Sequence, residues 1–98
     1  MITGDNYWMS WGGHMYKNRN NGRNNICGKK IAELRQKRIP KTSQRALADL
    51  LQLEGIDLDK NAVQRIESGE RFVTDIELKV LAKIFRVSAD ELLQEDNG

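Results

Sequence analysis

Two short segments near the C-terminal end repeat one grammar. Val73-Thr74-Asp75-Ile76-Glu77-Leu78 and Val87-Ser88-Ala89-Asp90-Glu91-Leu92 each set an apolar residue, a hydroxyl, a glutamate and a second apolar residue at the same offsets. In each, the hydroxyl can accept from the amide three residues on while the glutamate reaches back to the hydroxyl residue's own amide. The flanking apolar pair clamps the entry of the chain. Such boxes satisfy amides that a helix start leaves free, so they fix where helices begin. A chain that starts two helices so close together has no room between them for a sheet.

The upstream sequence is helical as well. Ile31 and Leu34, with Ile26 as a further candidate, give an apolar face to a helix over residues 28–38, stopped by Pro40. Thr42 or Ser43 can cap a second helix running from Gln44 to about residue 53, with Leu47, Ala48 and Leu51 inward. Glu54 to Asp59 break the period, and Asp59 is a good cap for a third helix over residues 60–68 that Gly69 ends. Leu78, Leu81, Ala82 and Phe85 line the fourth helix, and the fifth ends near Gln94. The fold class expected is therefore all-α, one five-helix domain over residues 26–95.

Residues 1–25 are rich in Gly, Asn and Ser, carry Trp8 and Trp11, and show no period, so they are read as a disordered leader and basic arm. The dipeptide His14-Met15 is what a cloning junction encodes. Residues 1–14 are accordingly read as a vector-encoded leader, with Met15 as the natural start.

Charge is divided along the chain. Residues 15–45 hold ten Lys or Arg against one acid, Glu33, a net +9, whereas residues 46–98 carry a net −6. This asymmetry fits a polyanion bound on one side, and equally a solvated basic helix with a disordered basic arm. No apolar run approaches the roughly 20 residues that cross a bilayer, and no signal-peptide core is present, so a membrane partner is not expected and the location expected is cytoplasmic. The single cysteine, Cys27, is read as a small apolar residue. One His, one Cys and surface acids assemble no nucleophile with its base and no metal cluster, so neither an enzyme nor a cofactor or metal is expected.

Ser43-Gln44-Arg45-Ala46-Leu47-Ala48, followed by Val63-Gln64-Arg65-Ile66-Glu67-Ser68-Gly69 and by the two capping-box segments, resembles the phage repressor and Cro family of helix-turn-helix regulators, over about residues 27–94. The resemblance implies a repressor-like domain whose helix-turn-helix is formed by helices 2 and 3, and a function in sequence-specific binding of double-stranded DNA as a transcriptional regulator, a repressor. It also places base-reading residues at Lys60, Asn61 and Arg65 and a phosphate contact at Gln44. The residues themselves agree. With Val63 and Ile66 inward, Lys60, Asn61, Gln64 and Arg65 face out near the helix start, and these side chains suit base edges in the major groove. Thr42, Ser43 and Arg45 share the end of helix 2 with Gln44, Arg71 is a second phosphate clamp, and Phe72 either packs on the core or marks an exposed contact. Glu67 is read as structural, pairing with a basic residue of helix 1 or 2 or capping an amide.

One departure stands out. The interval from Leu51 to Val63 is about five residues longer than the family's tight turn, so helix 2 is expected to be prolonged and the loop to fold back and bury Ile56 and Leu58. An insertion that rotated helix 3 would shift the base contacts by a position. Recognition of paired half-sites implies a homodimer on DNA. The alternative is a protein-interaction module, antitoxin-like or adaptor, whose protein partner would meet the acidic C-terminal half.

Overall fold

The computed structural model describes residues 19–95. The expected leader and the first part of the arm lie outside the described residues. Five helices follow in order: α1 (Gly28–Lys37), α2 (Gln44–Leu53), α3 (Lys60–Ser68), α4 (Asp75–Phe85) and α5 (Ala89–Leu92). Among the described residues the only extended pairing is an isolated bridge between Asn20 and Arg23.

The helix starts obey their caps. Ser43, Asp59, Thr74 and Ser88 each accept from the amide three residues ahead. The Thr74–Glu77 box is complete, the Thr74 hydroxyl taking the Glu77 amide at 3.1 Å and the Glu77 carboxylate taking the Thr74 amide at 3.0 Å. Only half of the second box forms: Ser88 takes the Glu91 amide, without the return bond from Glu91. α1 ends one residue before its expected limit because Arg38 already adopts an extended conformation ahead of Ile39-Pro40.

The lengthened interval between α2 and α3 resolves as a tight helix stop followed by an extended return. Gly55, at φ +86°, follows α2, its amide reaching the Gln52 carbonyl while the Ile56 amide reaches Leu51. That pair of bonds is a Schellman stop, which needs the left-handed residue that glycine supplies without strain. The chain then turns inward. Leu58 is buried, Ile56 is half-buried, and the Gln52 side chain donates to the Leu58 carbonyl. Leu53 at the end of α2 stays in solvent.

The core gathers Ile31, Leu47, Leu51, Val63, Ile66, Leu81 and Leu92, with α3 packed against both α1 and α2. Cys27 belongs to it, and burial pushes its thiol up to about 11, as suits an inert packing residue. Ile26 turns outward, and the place on the inner face of α1 that follows Ile31 is taken by Arg35.

The largest difference from expectation lies upstream of α1. The boundary expected at residue 26 falls within a packed segment, because residues 23–25 cap the C-terminal end of α3. Arg23 donates to the Glu67 and Ser68 carbonyls, Asn25 to those of Ile66 and Arg71, and Asn24 to those of Gly69, through its amide, and Glu70, through its side chain. Six consecutive carbonyls, from Ile66 to Arg71, are thus satisfied by three residues. Helix ends and exit turns commonly leave such acceptors free; here Ile66 alone among the helix carbonyls also takes the Gly69 amide. Asn25, itself buried, also accepts the Gly28 amide at 2.8 Å and so ties the start of α1 to the end of α3. Gly28 is required at that junction, since a Cβ there would collide with the Ile66 carbonyl oxygen.

Asn25→Ala strands the Gly28 amide and removes one partner from each of two carbonyls. An unmet buried polar group costs roughly 1–3 kcal/mol, so the variant should lose about 3 kcal/mol in chemical denaturation. A loss below about 0.5 kcal/mol would show that the segment is not part of the folded unit.

Candidate nucleic-acid interface

α3 divides its side chains cleanly. Ala62, Val63 and Ile66 are buried, whereas Lys60, Asn61, Gln64 and Arg65 are exposed and have no hydrogen-bond or ion-pair partner among the described residues. The expected inward and outward assignment holds through the lengthened turn, because Asp59 still caps α3 and Val63 and Ile66 still face the core. Arg45 of α2 shares one cleft with Lys60 and Asn61, which places the start of α3 and the flank of α2 on a common surface. At the other end of α3, Arg65 borders a shallow depression with Glu70, Arg71, Phe72 and Thr74. Phe72 is half exposed, so of its two readings the outward one matches the geometry.

The residues expected to hold phosphate are distributed differently. Ser43 and Arg45 are exposed at the start of α2, although the Ser43 hydroxyl accepts the Ala46 amide. Thr42 does not join them: it is buried, with its hydroxyl directed at the Pro40 carbonyl. Gln44 is half-buried, and its side-chain amide donates to Glu67 Oε1 at 2.9 Å. Arg71 is committed within the fold. One of its terminal nitrogens donates to the Phe72 carbonyl and to Glu77 Oε1, the other to Glu77 Oε2. Arg71 therefore braces the connection between α3 and α4, and a phosphate there would have to compete with a bidentate carboxylate.

Beneath this surface lies a charged network that sequence reasoning found only in part. Arg35 Nε donates to Glu67 Oε2 at 2.7 Å and Arg35 Nη2 to Glu67 Oε1 at 3.0 Å, with both side chains about nine-tenths buried. Arg35 Nη1 donates to the Thr42 carbonyl at 3.0 Å. The carboxylate of Glu67 is thus shared by α1, through Arg35, and by α2, through Gln44. Glu67 was expected to pair with a base on helix 1 or 2, whereas Arg35 appeared only as one of many cations. Its signal was position: it lies four residues after Ile31, on the face that packs inward. The pairing with Glu67 raises the pKa of Arg35 against the desolvation that opposes it.

Glu77 has a related role nearer the surface. Burial alone would raise its pKa, but hydrogen bonds from Arg71 and from the Thr74 amide outweigh that, and the carboxyl is held below its ordinary 4.5.

An all-α domain that presents an exposed polar helix face, with the preceding helix docked beside it, has the architecture of a DNA-binding regulator. The profile of the helix-turn-helix family, Cro/repressor type, matches residues 31–92, and the chain belongs to that family of DNA-binding transcriptional regulators. No curated protein and no solved structure matches the chain. Among the described residues no helix is long and apolar enough to cross a membrane.

Two outcomes follow for stability. Glu67→Ala leaves the Arg35 guanidinium buried without its carboxylate and should cost about 3–5 kcal/mol, whereas the pair Arg35→Met/Glu67→Leu should cost less than that single change; equilibrium denaturation of the three proteins checks the order. Because the folded pKa of Glu77 lies below the unfolded one, its carboxylate favours folding above about pH 4.5, and that contribution is lost as the pH falls through the folded value. In Glu77→Gln the fall in stability on acidification should accordingly be shallower than in the parent, as read from denaturation curves between neutral and acid pH.

Proposed function

We propose that the chain is a sequence-specific repressor that binds double-stranded DNA as a homodimer, with α3 in the major groove. In this reading Lys60, Asn61, Gln64 and Arg65 contact base edges. Ser43, Gln44 and Arg45 hold the phosphate backbone beside them.

One observation carries the proposal. The four outward side chains of α3 are unengaged among the described residues, while two charged neighbours are held inside the fold: Glu67 by Arg35 and Gln44, and Arg71 by Glu77. Holding four such side chains on a braced helix serves recognition, because each base pair displays its own donor and acceptor pattern in the major groove. Arg65 suits the paired acceptors of guanine, Asn61 those of adenine, and Lys60 reaches guanine or phosphate. Gln44 keeps its amide nitrogen on Glu67, so its part is to fix the start of α2 against the backbone while remaining bonded to the reading helix.

The homodimer follows from the logic of paired half-sites, since a single small domain makes few phosphate contacts. Repression is the simplest output, because occupying an operator is enough to block it. Action in the cytoplasm accords with a target on DNA.

Selection of random duplex DNA by the purified chain, at about 150 mM salt, should enrich one two-fold related motif. Arg65→Ala should weaken binding to that motif by roughly 1–3 kcal/mol and relax preference at one base pair per half-site. Enrichment of no motif would contradict the proposal, and selective capture by an acidic-face protein partner would put an interaction module in its place.

A further inference from the structure

The connection between α1 and α2 carries a second cationic surface. From residue 34 through residue 48 there is no acidic residue and there are five Lys or Arg. Arg35 is held inside by Glu67, and Lys37 pairs with Glu33 at 2.7 Å. Arg38, Lys41 and Arg45 are exposed, with no acid within ion-pair distance among the described residues. The loop is drawn together at its base. The Arg35 carbonyl accepts from the amides of Arg38 and Thr42, at 3.4 Å each, and the Arg35 guanidinium donates to the Thr42 carbonyl.

Everything between those ties projects outward. Arg38, Ile39, Pro40 and Lys41 are all exposed, and Ile39 is 98% exposed, more than any other large apolar residue described. An isoleucine held bare between two unneutralised cations adds nothing to the core, so its chemistry is available to a partner. The loop leads straight into Ser43, Gln44 and Arg45, and Arg45 already lines the cleft that contains Lys60 and Asn61. The loop thus adjoins the start of α2, whose Arg45 borders the first turn of α3 in a cleft that also holds Asp49 and Asp59.

We propose that residues 38–41 form a second DNA-contacting element, lying along the sugar-phosphate backbone that flanks the segment read by α3. Arg38 and Lys41 meet phosphates, and Ile39 rests against the deoxyribose edge of the adjoining minor groove. The chemistry favours nucleic acid over an acidic protein. One isolated apolar side chain on a narrow loop is far from the roughly 800 Å² per partner of a stable protein interface, whereas phosphates are commonly held by single extended cations. Apolar side chains set beside such cations contact sugars and base steps in minor grooves. This inference rests on the reading of α3 as the major-groove helix, and adds contacts that extend the footprint without adding base readout.

The test uses the full chain with Arg38→Ala/Lys41→Ala and, separately, Ile39→Ser. Binding to a short mixed-sequence duplex is followed between about 50 and 200 mM salt, and sugar protection is mapped by hydroxyl-radical cleavage on the duplex enriched by selection. The double variant should lower the magnitude of the salt slope by about 2 and weaken binding to every duplex about tenfold, leaving the enriched motif unchanged. Both variants should lose the outermost protected sugars, Ile39→Ser with an unchanged slope, and both should melt with the parent. An unaltered slope and footprint, in variants of a parent whose motif still responds to Arg65→Ala, would overturn the loop contact and leave the reading of α3 standing. A parent that binds no duplex at any salt would remove both.

Discussion

The structure turns on one buried ion pair. Arg35 and Glu67 meet through two hydrogen bonds, and the same two side chains bond to Thr42 and Gln44, so α1, α3 and the entry to α2 are joined at a single point. Apolar packing alone would let short helices slide and rotate against one another at small cost. A bidentate carboxylate–guanidinium contact accepts one geometry, because any slip strands a charge away from water. The pair therefore fixes the angle at which α2 supports α3. The four outward residues of α3 inherit that angle.

A second constraint acts at the same C-terminal end of α3, where Glu67 itself lies. The carbonyls from Ile66 to Arg71 are covered by Arg23, Asn24 and Asn25, so the reading helix is anchored through its exit by a segment that precedes α1 in sequence. The family match begins only at residue 31, beyond these three residues. Their attachment explains why Gly28 has no room for a side chain, and why the start of α1 lies so close to the end of α3. Rigidity of the interface thus rests on a charged hub and a polar cap that meet in the last turn of α3.

Most of the helical frame was legible because local rules and packing agree. Thr74 with Glu77, Asp59 before Lys60, and Gly69 after Ser68 are signals that need no knowledge of distant residues. The inward and outward faces of α3 followed from the spacing of Val63 and Ile66. What escaped depends on contacts between residues far apart in sequence. Asn24 and Asn25 looked like disordered arm because asparagine carries no period, and only the free carbonyls of α3, more than forty positions away, give them a role. Arg35 was hidden among basic neighbours, and Arg71 could not be told from a phosphate clamp until Glu77 was seen beside it. Thr42 and Ser43 both suited the cap of α2; Ser43 takes it, while Thr42 is buried, with its hydroxyl on the Pro40 carbonyl and its own carbonyl on Arg35.

The proposed function has α3, capped at its start by Asp59 and braced at its C-terminal end, present Lys60, Asn61, Gln64 and Arg65 to DNA. The most direct measurement is residue-resolved NMR of the full chain during titration with the duplex it selects. The largest amide and side-chain perturbations are expected on α3 from Lys60 to Arg65 and on the first turn of α2, with α4 and α5 little changed. Perturbations concentrated on the acidic surface of α4 and α5, or none on α3, would contradict it.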